Sequence, residues 1–549
     1  PRNHPKKIQK PEDARINKAM MNLKKIYYLV LCALVACTTA SCKDSNDDYI
    51  PPALEPEKPE VPVEPEDPRA DVPIHVDGEP YTTYKGLLMT GYQGWFGTPG
   101  DGCSHANHKN TEWYHYREND MFKPGVLRNS IDLWPDMSEY EIKYDTEFKY
   151  PDGTAQVYSA YDKSTVMLHF KWMQEYGIDG AFMQRFVGEV IDNPDGKDHF
   201  DKVLASAMDG SDQYQRAIAV MYDLGGYNPA RFEKVVADAQ AIYDTYASKR
   251  KYYLHENGKP LIALWGVGFN PAERGYSNED IQKLSDKLKE VGYSIMLGVS
   301  TYWRAGGGDT YTPGRASLHA LIKSVDVIMP WYVGRFNDIN SYNTGGSDGG
   351  FANMVGKDIE WCKNVNESGE SKVQYAPHCY PGASDLNMHP YYERGSRERG
   401  KFFWTQLHNC IRRGCTMLYI AMFDEIDEGT AIYKVLRKSD VPSNAADVEY
   451  YVVYNPKNEK ISYSDMNGIG RSTENTVFMA KNKVTAPTDG WCKSEKELGI
   501  TFEGIDDDLE TDYYLWLTGQ AGKMLRKQIA LQLSLIHISE PTRRTPISY

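Results

Sequence analysis

The chain has 549 residues, a formal net charge of −14, and 41% hydrophobic against 25% charged residues. An acidic surplus of this size argues against nucleic acid as a partner. Forty tyrosines and eleven tryptophans belong by composition first to a large core, although aromatic faces also stack on sugar rings.

In chain order, residues 1–20 are polar and without periodicity, and read as upstream sequence ahead of a start at Met20 or Met21. Residues 21–42 carry Lys24 and Lys25, then an apolar run over 26–37, then Thr39-Ala40-Ser41-Cys42. That run is too short to span a bilayer. It reads as an export signal. Small residues before Cys42 resemble a bacterial lipobox, which implies lipidation at Cys42 and a membrane anchor. Lys43-Asp44-Ser45-Asn46-Asp47-Asp48 resembles the surface-export signal of Bacteroides-type lipoproteins, so an outer-membrane lipoprotein at the cell surface or in the periplasm is expected. An ordinary secretory signal with an incidental Cys is the plainer alternative. Residues 43–80, rich in Pro, Glu and Val, cannot build a core and read as an extended tether. At the far end, residues 531–549 include Leu533-Ser534-Leu535-Ile536-His537-Ile538, which resembles the conceptual translation of a sequencing adapter.

Between these ends, apolar runs of strand length recur at 86–92, 180–184, 217–222, 260–265, 294–299, 325–331, 373–378 and 417–423. They are continuous rather than alternating, as in strands buried on both faces. Helical spacing appears at 164–176 (Val166, Phe170, Met173), at 232–246 (Val235, Val236, Ala239, Ile242), after a Ser277 cap (Ile281, Leu284, Leu288) and at 402–411. Strand alternating with helix eight times predicts an α/β fold, a (β/α)8 TIM barrel over 81–440. A doubly wound open sheet is the alternative, weakened by the missing phosphate-cradling glycine pattern after the first strand. Two departures are expected: a long first βα loop over 95–157, containing Trp134, and a C-terminal insertion over 441–530. The amphipathic run from Tyr513 to Leu525 reads as the closing helix of the barrel.

A barrel delivers its strand ends to one mouth. Those ends read Tyr92, Gln93 and Trp95; Gln184 and Arg185; Tyr222 and Asp223; Trp265; Tyr302, Trp303 and Arg304; Trp331 and Tyr332; His378 and Tyr380; then Asp424, Glu425 and Glu428. Aromatic faces with hydrogen-bonding rims suit a poly- or oligosaccharide. For each the duller reading is packing: a Trp fills core, His378 is a satisfied core histidine, Arg185 neutralises an acidic mouth. Four carboxylates in five positions after a buried strand are costly, because like charges repel and burial penalises the ionised form. One carboxyl kept protonated beside one kept ionised is what glycoside hydrolysis needs. Glu425 and Glu428 are therefore the candidate catalytic pair. No CxxC spacing supports zinc. His105 and His108 lie at HxxH spacing in a loop, which does not fix that geometry. Neither metal nor cofactor is expected. Disulfides are compatible with export, but their pairing is not readable.

Phe423-Asp424-Glu425-Ile426-Asp427-Glu428-Gly429-Thr430 resembles the E-x-x-E-G-T motif of glycoside hydrolase family 99, the endo-α-mannosidases and endo-α-mannanases. His169-Phe170-Lys171-Trp172-Met173 with Tyr176-Gly177-Ile178-Asp179-Gly180 resembles that family's first helix and second strand. Gly91-Tyr92-Gln93-Gly94-Trp95-Phe96 is less typical, and resembles a broader 71/99-like group of exported Bacteroides proteins, some called xylosidase or arabinosidase. The resemblance implies a retaining endo-hydrolase without metal. Glu425 would act as base on the sugar's own 2-hydroxyl, giving a 1,2-anhydro sugar, and Glu428 would protonate the leaving oxygen. A non-catalytic surface glycan-binding lipoprotein, an α-glucanase or pentosidase on the same barrel, and a structural surface protein are the competing readings.

Overall fold

The computed structural model describes residues 67–103, 113–116, 131–384, 397–443 and 502–535, the isolated positions 122, 124, 387 and 395, and the backbone of four strands between 450 and 497. The signal, Cys42, the first part of the tether, and His105 and His108 lie outside the described residues.

Eight parallel strands form the centre: β1 (Leu88–Tyr92), β2 (Gly180–Phe186), β3 (Ala217–Asp223), β4 (Lys259–Val267), β5 (Ser294–Val299), β6 (Val327–Pro330), β7 (Gln374–Tyr375 and His378–Cys379) and β8 (Leu418–Ile420). Each pairs with the next in sequence. β8 pairs back onto β1, Leu88 opposite Leu418, so the sheet curls into a closed barrel. Every residue of β1, β5 and β6 is buried, which is why their sequences are continuously apolar. β7 is split because Pro377 has no N–H to give the ladder. Its first half pairs with β6 and its second with β8.

The helices are α1 (Lys163–Tyr176), α2 (Pro194–Tyr214), α3 (Phe232–Ile242), α4 (Asn278–Val291), α5 (Arg315–Lys323), α6 (Phe351–Glu367), α7 (Lys401–Arg412) and α8 (Tyr513–Leu525). One follows each strand. Ser277 caps α4 in a capping box with Asp280, and α1 stops at Gly177 in the left-handed conformation. The expected helical stretches agree with α1, α3, α4, α7 and α8. α2, α5 and α6 were not among them. α2 does bury an apolar stripe at helical spacing, Phe200, Val203, Leu204, Ala207 and Met208, flanked by the small residues Ser206, Gly210 and Ser211, so it was readable and was passed over. α8 packs against both α7 and α1 and so completes the helical ring. None of the described helices is long and apolar enough to cross a membrane.

The long first βα loop contains a hairpin, Tyr144–Tyr150 with Gly153–Val157. It bridges to the segments on either side of the C-terminal insertion, Pro135 to Val435 and Leu133 to Glu503. Within that insertion four short strands pair antiparallel. Cys103, Cys362, Cys379, Cys410 and Cys415 are buried free thiols.

Candidate active site

The acid segment after β8 is held on three sides. From β1, the backbone N–H groups of Gln93 and Gly94 donate to the two oxygens of Asp424 at 2.7 and 2.8 Å. Burial pushes Asp424 up to about 7, against the pull of those two amides. From the first βα loop, the N–H groups of Asp132 and Leu133 both donate to the Ile426 carbonyl, at 2.9 and 3.1 Å. From the loop after β7, Ser384 N–H donates to the Glu428 carbonyl at 2.9 Å, and Arg397 Nη2 donates to the carbonyls of Gly429 and Ala431 at 2.7 and 2.9 Å. Gly429 has φ 66°, and a Cβ there would meet Ser384 Oγ and N. Only glycine fits this turn.

The two candidate carboxylates differ in environment. Glu425 is buried at 3% exposure and accepts from the Gln93 amide and the Thr430 hydroxyl. Burial, then the charges of Glu428 and Asp427, raise its pKa well above the ordinary carboxylate range, while the two donors oppose the rise. Glu428 is half-buried. Asp427 is buried and meets His115 Nδ1 at 3.2 Å. One carboxyl is therefore shielded and hard to ionise, and the other reaches solvent. That asymmetry assigns different work to two like groups.

Opposite lies a chain of rings on the inner barrel wall. Trp265 meets Trp331 edge-on at 5.1 Å, Trp331 meets His378 at 4.6 Å, and His378 stacks on Tyr419 at 5.8 Å. Gln184 Nε2 donates to Tyr419 Oη at 3.3 Å. Asp223, its pKa raised by burial, accepts from Gly225 N–H at 2.6 Å. His378 Nδ1 accepts the Tyr332 N–H at 3.2 Å, which places the ring proton on Nε2. Burial depresses its pKa to about 3, so the ring is neutral. Both His378 Nε2 and Trp265 Nε1 are buried without a protein partner. Strand alternation turns both residues to the inner side of the barrel, with Gln184, Asp223, Trp331 and Tyr419, and Gln93 and Glu425 are bonded to one another at the end of β1 and β8.

The other expected site residues do not line that mouth. Arg185 is 2% exposed and bonds Asp238 and Asp201, on α3 and α2. Tyr222 donates to Asp238 at 2.6 Å. Both face the helices, because side chains alternate along a strand and only Gln184 and Asp223 of those pairs turn inward. Tyr92 likewise turns out of the barrel, its hydroxyl 2.8 Å from His169 Nδ1, while Tyr140 holds Nε2 at 2.8 Å. Trp303 is buried against Asp358 at 3.2 Å, and Tyr332 against Tyr375 at 3.1 Å. Trp134 is fully buried among Phe122, Phe148 and Phe502. Trp95 is sandwiched between His115 at 3.8 Å and Phe186 at 5.1 Å, which leaves it no open face for a sugar. Sequence reasoning missed Tyr419, His115 and Arg397, and gave Thr430 only as the last letter of the motif, without a role. Tyr419 lies inside the continuous apolar run of β8, which gives no sign of which side chains face inward. His115 and Arg397 come from distant loops and carry no local signal.

Among the described residues no group of three or more His, Cys, Asp or Glu side chains is arranged to hold a metal ion. No family model and no curated protein matches the sequence. The chain is similar in structure to the GH99 endo-α-mannosidase from Bacteroides thetaiotaomicron, in complex with bis-tris-propane: TM-score 0.49, 16% identity, 81% of this chain and 99% of that one. A second structure of that enzyme gives TM-score 0.47 and 14% identity over 81% and 99%. A glycoside hydrolase-like protein gives TM-score 0.39 and 14% identity over 60% and 95%.

Proposed function

We propose that the chain is a retaining glycoside hydrolase acting on an α-linked, mannan-like polysaccharide, with Glu425 and Glu428 as its working pair. The observation that carries the hydrolase reading is a pair of carboxyls in unequal surroundings, a buried Glu425 beside a half-exposed Glu428; which of the two is base and which acid rests on the motif resemblance of residues 423–430, since burial by itself favours the protonated form of Glu425. A base that must take a proton from a sugar hydroxyl works better the more basic it is. A raised Glu425 suits attack by the 2-hydroxyl on the neighbouring anomeric carbon, with closure to a 1,2-anhydro sugar. Glu428 protonates the departing oxygen, then takes the proton of the water that attacks the anomeric carbon, while Glu425 returns its proton to the 2-oxygen as the ring opens. Thr430 and Gln93 fix the orientation of Glu425. The Trp265, Trp331 and His378 wall offers apolar faces and donors to the sugar. The sugar and linkage rest on the motif resemblance of residues 423–430. With the signal over 21–42, we place the enzyme at the bacterial surface, anchored through Cys42.

The test is product analysis on yeast α-mannan, α-1,3-glucan and arabinoxylan, beside Glu428→Gln. Mannan oligosaccharides should appear, and the variant should lose about 10²- to 10⁴-fold in turnover, the range for a general acid–base group. Full activity in the variant sinks the assignment. Binding of glycan without products in either protein moves the chain to a glycan-binding role.

A further inference from the structure

The loop after β4 holds a guanidinium on the rim of the barrel and gives it no carboxylate. The loop contains one helical turn, Pro271–Arg274. The Asn270 side chain caps that turn by accepting the Ala272 N–H, and Gly275 ends it in the left-handed conformation. The buried Tyr276 hydroxyl then ties the loop back to the Gly266 carbonyl at 2.8 Å. Arg274 is thus presented from a braced turn. Its guanidinium lies 4.5 Å over the Phe269 ring and 5.7 Å over that of Trp265. All three side chains are partly exposed. After β2, β5 and β6 the arginines Arg185, Arg304 and Arg335 are each bound by carboxylates. Among the described residues Arg274 has neither an ion pair nor a hydrogen bond, only its rings.

Asp223 stands beside it at the end of β3, level with Trp265 in the parallel register. It too is partly exposed. One of its oxygens accepts the Gly225 N–H at 2.6 Å, and the other has no partner among the described residues and is open to solvent. The Arg274 charge reaches Asp223, pulling down a carboxyl that burial raises, yet the guanidinium stays on its rings and no ion pair closes. The result is a donor fork and an acceptor held apart, both within reach of solvent. That slot selects its occupant. A hydroxyl donates to the one and accepts from the other at once. A carboxylate, sulfate or phosphate satisfies Arg274 alone and brings its charge against Asp223.

We propose that Asp223 and Arg274 bracket one hydroxyl of the glycosyl unit at the barrel mouth, and so select a neutral sugar over an acidic one. The proposal rests on the glycosidase reading above and is read out by binding, in the full chain carrying Glu428→Gln so that glycan is not consumed. Dissociation constants for yeast α-mannan, α-1,3-glucan, arabinoxylan and polygalacturonate would be measured by affinity electrophoresis for this parent and with Asp223→Asn, Arg274→Leu or both added, beside the Tm of each. Leucine keeps the apolar contact with Phe269 and Trp265 and removes the fork. The parent should bind a neutral glycan and not polygalacturonate. Each added substitution should weaken that binding by about tenfold or more, the scale of a hydrogen bond to a charged group, at unchanged Tm. The double variant should lose less than the product of the two single factors, because both groups hold one hydroxyl. Unchanged binding in both single variants overturns the pair, and so do losses that simply multiply. Affinity lost only together with Tm assigns Arg274 to holding the loop and counts against the proposal. Polygalacturonate bound by the parent and released by Arg274→Leu overturns the choice of ligand. In each of these cases the glycosidase reading still stands if the unsubstituted chain releases products. No glycan bound by the parent overturns the proposal, and no products from the unsubstituted chain overturns the glycosidase reading with it.

Discussion

Glu425 is asked to act as a base where a carboxylate is least welcome. Burial and the charges of Glu428 and Asp427 favour its protonated form, and the donors Thr430 and Gln93 favour the ionised one. Since the base must be ionised, activity should fall on the acid side at a pH above the ordinary glutamate range. Asp427→Asn removes one of the charges that raise Glu425, so the acid limb of kcat/KM should move to lower pH. Thr430→Val removes a donor that lowers it, so the limb should move up, by about one pH unit, or ~1.4 kcal/mol. pH profiles of both variants check the assignment through their opposite signs. If both limbs move the same way, Glu425 is not the group being titrated. Glu425 and Glu428 were legible in the sequence because carboxyls crowded after a buried strand are costly; Gly429 and Thr430 entered only as part of the motif that residues 423–430 resemble. The groups that tune them were not legible. Tyr419 is hidden within a continuous apolar run, and His115 arrives from another loop.

At the scale of single elements, all eight strands were legible, because a strand buried on both faces writes an unbroken apolar run. The facing of its last residues was not. An apolar run carries no alternation to say which side is in, so both members of Gln184-Arg185 and of Tyr222-Asp223 looked like site residues. The outward pair does structural work. Arg185 and Asp238 are both nearly sealed from solvent and tie β2 to α3, with Tyr222 adding a third bond. Removing one partner of such a pair leaves a charge stranded and typically costs about 3–5 kcal/mol. Asp238→Ala should therefore lower Tm by many degrees, while specific activity of the folded fraction stays within about twofold. A large loss of kcat at unchanged Tm would return Arg185 to the mouth.

At the scale of the molecule, α8 closes the helical ring from far along the chain, after the whole C-terminal insertion. Its existence was legible from periodicity, and its neighbours were not. Gly519 shows how tightly it seats: a Cβ there would lie 1.8 Å from the Tyr176 carbonyl at the end of α1. Gly519→Val should cost about 1–3 kcal/mol or more through overpacking, seen as a fall in Tm, although glycine is the poorer helix former. An unchanged or raised Tm would mean that α8 is not pressed against α1. The first βα loop raises a different matter. Two of its amides, from Asp132 and Leu133, share the Ile426 carbonyl in the middle of the acid segment. A loop that looks like a replaceable decoration at one end of the chain is thus part of the mounting for chemistry written at the other. Anyone grafting a foreign first loop onto this barrel to change its substrate would be handing the acid segment a new foundation. The loop and the segment can be exchanged only as a matched set.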